Sequence, residues 1–101
     1  NKDNNLKLAY IFARFKDYAF AASLLSEYVK QDNPSEQLLF AYISFAAHVQ
    51  DLVNSKVFAV ALNKAEKMNH EKYCKLFGEP FLTIQVLDNP IVKEDYFKAC
   101  K

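Results

Sequence analysis

Residues 5–34 read NLKLAYIFARFKDYAFAASLLSEYVKQDNP, and this stretch decides the fold. Within it Leu6, Leu8, Ala9, Phe12, Ala13 and Phe15 recur largely three and four positions apart, which gathers apolar side chains on one side of a helix. The spacing predicts a first helix from about Asp3 to Lys16. Asp17 fits an N-cap, because its carboxylate can accept from the free amides of a following helical turn. A second apolar face, made of Tyr18, Ala21, Ala22, Leu25, Tyr28 and Val29, then carries a helix to about Asp32.

Beyond this hairpin the punctuation repeats. Asn33, Pro34, Ser35 and Glu36 stop one helix and start another, since proline cannot continue a helical ladder yet is tolerated in a new first turn. The third helix presents Leu38, Leu39, Ala41, Tyr42, Phe45, Ala46 and Val49. Gln50, Asp51, Asn54 and Ser55 mark a turn, and a fourth helix carries Val57, Phe58, Ala61, Leu62, Ala65 and Met68. Asn69 can cap a short fifth helix through Phe77, after which Gly78, Glu79 and Pro80 break the chain. The run Phe81 to Leu87 has β-branched residues and partial alternation but no partner strand in view, so it reads as a helical or irregular segment packed on the repeats. Asn89 and Pro90 open a final helix, Ile91 to Lys101.

The composition supports helices. With 51% hydrophobic and 25% charged residues, the 101-residue chain can bury one modest core. One glycine and three prolines leave few residues for the tight turns of an all-β chain. Thirteen basic against twelve acidic residues give a net charge of +1, too weak a field for a nucleic-acid partner. The longest uncharged apolar stretch, Leu38 to Ala47, falls far short of the roughly 20 residues of a membrane span. The chain begins at Asn1 without a signal-peptide pattern, so it reads as a mature product or a piece of a larger protein. Cys74 and Cys100 could pair in an oxidising compartment or stay reduced, packed free thiols being the usual state of isolated cysteines.

The hairpins echo one another. Ala9-Tyr10 of the first helix returns as Ala41-Tyr42 of the third, and Tyr18, Ala21, Leu25, Tyr28 of the second as Phe58, Ala61, Ala65, Met68 of the fourth. The second offset is the longer one, which implies about two extra helical turns or a longer loop in the second hairpin. Here the chain resembles the tetratricopeptide repeat family, with Ala9 and nearby Phe12 in the first helix, Ala21 in the second, and Asn33-Pro34 near the family's closing proline. The resemblance covers about residues 3–68, the first hairpin more fully than the second. The tail from Tyr73-Cys74 through Asn89-Pro90 to Cys100 is similar to the ending of some bacterial multi-repeat proteins of unassigned function. The implied fold is one all-α domain over residues 1–101, with two stacked hairpins (1–68) in a right-handed superhelix and a C-terminal cap (69–101).

In that family the first helix of each hairpin lines a concave surface that binds peptides or partner helices. The resemblance therefore makes Tyr10, Arg14, Tyr42 and Phe45 the candidate peptide-binding residues, with Leu6 and Leu38 beside them. Aromatic and Arg side chains are effective anchors. The family's carboxylate-clamp subgroup needs Lys and Asn at concave positions where Leu6 and Tyr10 stand, which argues against a chaperone-tail ligand. His70 and Cys74 lie four apart with Cys100 as a conceivable third ligand, but no CxxC or HxxxH completes a tetrahedral metal set. His48, beside Ala46, Ala47 and Val49, reads as a surface or hydrogen-bonded core residue. Neither histidine has a local motif that would orient it as a base, and a single glycine makes no phosphate loop. The expectation is a protein-interaction or scaffold module with no catalytic residues, no metal and no cofactor. The alternative is a structural or oligomerising terminal domain.

Overall fold

The computed structural model describes residues 2–76 and 90–100, and every element among them is an α-helix. In chain order they are α1 (Lys2–Arg14), α2 (Tyr18–Val29), α3 (Glu36–Ala46), α4 (Gln50–Val53), α5 (Lys56–Met68), α6 (His70–Leu76) and α7 (Pro90–Cys100). The expected segment Phe81 to Leu87, Phe77 at the end of the fifth predicted helix, and Lys101 lie outside the described residues.

Helix starts follow short polar side chains. Asp17 accepts from the Phe20 amide at 3.3 Å, Ser35 from Leu38 at 3.2 Å, Ser55 from Phe58 at 3.3 Å and Asn69 from Lys72 at 3.1 Å. Each bond satisfies one of the amides that a helix's first turn leaves open. Three boundaries differ from the sequence reading. α1 ends at Arg14, because Lys16 takes a left-handed backbone (φ 62°) and turns the chain. α2 ends at Val29, where the amide of Lys30 bonds Tyr28 in a tightened last turn. The expected turn at Gln50 to Ser55 contains the single helical turn α4, which takes up part of the extra length of the second hairpin.

The helices pack in sequence, α1 on α2, α2 on α3, α3 on α5 and α5 on α6, with α4 tucked against α3 and α5. Alanines permit the close crossings: Ala9, Ala21, Ala22, Ala46, Ala61 and Ala65 are wholly buried. Phe58, Tyr42, Leu25, Leu38, Leu39 and Ile43 fill the volume between them. α3 is covered on most sides, and eight of its eleven residues are buried. Lys64 ties two distant segments together. Its ammonium on α5 donates to the Val29 carbonyl at 2.7 Å and the Gln31 carbonyl at 2.6 Å, closing the end of α2.

α7 is attached differently. Val92 is its one buried residue, with Tyr96, Ala99 and Cys100 packed at the edge of the core. Cys100 forms a disulfide with Cys74 of α6, Cα to Cα 5.8 Å. The two cysteines are thus bonded and not the packed free thiols that their isolation in sequence favours, because folding brings α6 and α7 side by side.

Candidate functional site

A groove of about 330 Å³ runs between α1, α3 and α6. Ala41 and Phe45 of α3 form its floor. Tyr10 of α1 forms one wall, and Phe40 of α3 with Lys72 and Leu76 of α6 the other. Tyr10 is 42% exposed and meets Phe45 edge to face at 5.5 Å, a favoured arrangement that fixes the phenol over the floor. The Lys72 ammonium lies 4.6 Å above the Phe40 ring and 4.0 Å from the Glu36 carboxylate. Asn69 donates to the same carboxylate at 3.1 Å. Gln37 and Ser44 add polar atoms along the rim. The result is an aromatic trough with hydrogen-bonding groups and one charge of each sign at its edge, suited to an apolar side chain flanked by backbone.

The residues expected to line the concave surface divide. Tyr10 and Phe45 come together in the groove. Tyr42 does not: it is 1% exposed, its hydroxyl hydrogen-bonds the Ser55 side chain, and burial pushes its pKa up. It belongs to the core and offers no surface to a ligand. Arg14 sits exposed at the end of α1 and is not among the groove's lining residues. Leu38 is fully buried and Leu6 partly so. The sequence reading did not place Glu36, Phe40 and Ser44, a second stripe on α3 at spacings of four, or neighbouring Gln37 at the site, and it assigned Lys72 and Leu76 to the cap.

A second cleft, about 430 Å³, lies between α5 and α7. Its floor includes Leu62 and Val92, and Glu66 and Asp95 stand at its sides. Tyr73 at its base is 1% exposed. Burial, reinforced by the negative charges of Glu66 and Asp95, holds the Tyr73 hydroxyl protonated up to about 12. An unfolded phenol releases its proton near 10, so between these values the folded chain holds the extra proton and stability falls as pH rises. We expect Tyr73→Phe to remove about 2 to 3 kcal/mol of this alkaline loss, read from urea midpoints between pH 10 and about 12. Identical alkaline limbs for the two proteins would disprove the assignment.

Neither histidine lies in these clefts. His48 stacks on Tyr18 at 3.8 Å, and burial lowers its pKa. His70 Nε2 is 3.7 Å from Cys74 Sγ, whose bond to Cys100 leaves no thiolate for a metal. Among the described residues no group of three or more His, Cys, Asp or Glu is placed to hold a metal ion, and no helix is long and apolar enough to cross a membrane. Compared with known proteins, the chain matches no family model, and neither a curated protein nor a solved structure is found to be similar to it.

Proposed function

We propose that the chain is a protein-interaction module that seats a peptide or helical segment in the groove between α1, α3 and α6. In this reading α1–α2 and α3–α5 are two hairpins of a tetratricopeptide-like superhelix, and the groove is its concave face. The observation that carries it is the half-exposed Tyr10 ring held by Phe45 over an aromatic floor. An exposed aromatic that is already ordered loses little entropy when it meets a ligand, which is why such side chains dominate binding energy. The polar rim of Glu36, Gln37, Ser44 and Lys72 supplies partners for the amides of an extended or helical ligand.

The test uses a phage-displayed peptide library selected on the chain. Selected peptides should carry an aromatic or aliphatic anchor and should lose binding to Ser44→Arg, whose side chain fills the groove. Tyr10→Ala should weaken them roughly 30-fold, in line with about 2 kcal/mol for an aromatic anchor. Both positions are at least partly exposed, so helical circular dichroism should be unchanged. Peptides that bind the parent and both variants equally would refute the groove.

A further inference from the structure

The outer face of α1 lies apart from the groove. Leu8 and Ile11 are exposed there, and Phe15, one residue past the helix's end, is 79% exposed in the turn that follows. Leu8 and Ile11 stand three positions apart on the side away from buried Ala9, and Phe15 follows four positions on, carrying the apolar surface into the turn. Phe12 and Phe20, edge to face at 4.6 Å, extend the apolar surface along one side. Lys7 and Arg14 run along the other. Both are exposed, and neither forms an ion pair among the described residues. Lys2, Lys7 and Arg14 against Asp3 give α1 a charge of +2, so this helix holds the basic excess of a chain whose total is +1.

The pattern is that of a helix seam. If Leu8 occupies the a position of a heptad, Ile11 occupies d, and Lys7 and Arg14 fall at successive g positions, where charges select the partner. Phe15 extends the seam from the turn beyond Arg14. A second copy of the chain fits poorly. Antiparallel self-pairing would set Lys7 of one copy beside Arg14 of the other, and like charges at such sites repel. A helix with acidic residues flanking its own apolar seam would pair with both charges and cover the apolar surface. A lipid surface is also less well matched, because two cations along one edge supply little of the attraction that surface binding needs.

We propose that the outer face of α1 docks an amphipathic helix of a partner protein that carries Glu or Asp beside its apolar seam. The probes are two synthetic three-heptad helical peptides with the same leucine seam, one flanked by Glu and one by Lys, titrated with the chain by fluorescence anisotropy. The Glu-flanked peptide should bind roughly tenfold or more tightly than its Lys-flanked counterpart, and the difference should shrink with salt. Lys7→Glu with Arg14→Glu should invert the order. Ile11→Ser with Phe15→Ser should abolish binding with helical circular dichroism unchanged. Ser44→Arg in the groove should have no effect, which separates this surface from the proposed peptide groove. Equal affinity for the two peptides would overturn the proposal. So would binding of phosphatidylserine vesicles without binding of the Glu-flanked peptide, or a dimer in sedimentation equilibrium that Phe15→Ser dissolves.

Discussion

Replacing Tyr42 with alanine is expected to bring the chain close to the limit of its stability. The side chain is 1% exposed at the centre of α3, between helices packed on alanines, so the space it leaves cannot collapse easily. Truncation of a buried aromatic costs about 3 to 5 kcal/mol, against a total of about 5 to 15 kcal/mol for a domain. At a slope of about 1.5 kcal/mol per molar, the urea midpoint should fall by roughly 2 M or more. The Ser55 hydroxyl also loses its Tyr42 partner, although it still donates to the Leu52 carbonyl at 2.7 Å and caps α5. Tyr10→Ala in parallel should shift the midpoint far less, because Tyr10 is half-exposed. Similar midpoints for the two variants would contradict the placement of Tyr42 in the core.

Cutting the Cys74–Cys100 disulfide is expected to act first on α7. The bond closes a loop with a sequence separation of 26, for which the chain-entropy account gives about 3.5 kcal/mol. Without the bond, α7 keeps among the described residues buried Val92 and the partly buried Tyr96 and Ala99 as its packing on the core. A free helix of eleven residues is marginal in water. Amides of α7 in Cys100→Ser should therefore exchange with solvent about a hundredfold faster, whereas those of α3 should change much less, the signature of local opening. Hydrogen-exchange mass spectrometry of the oxidised parent and the variant makes the comparison. Unchanged protection in α7, or equal loss in α3 and α7, would show that α7 is anchored otherwise than by this bond and that packing.

Tyr10 and Tyr42 also show what could and could not be read from residues. The repeat places both one position after a small residue, and by register they are equivalent. Their surroundings are not: α3 has α2 on one side and α5 on another, whereas α1 has α2 alone as its main neighbour. One pattern thus yields an exposed ring in one helix and a buried ring in the other. α3 is apolar on most sides, so its periodicity could not say which stripe faces the groove, and Phe40 and Ser44 were not assigned to it. The helical class, the caps at Asp17 and Asn69 and the restart at Ser35 were legible, because short polar side chains before apolar runs act locally. The end of α1 was hidden by Lys16, a non-glycine residue in a left-handed turn. The disulfide was equally hidden, since it depends on two helices far apart in sequence meeting in space.

The Lys64 clamp has a consequence for the order in which a growing chain can become structured. The carbonyls of Val29 and Gln31 are closed by a residue that leaves the ribosome more than thirty positions later. At about 5 to 20 residues per second, α2 spends roughly 2 to 7 s of synthesis with that end open to water. The first hairpin can form during this interval, but its seal must wait for α5, so the completed amino-terminal half is a product of the carboxyl-terminal half's arrival.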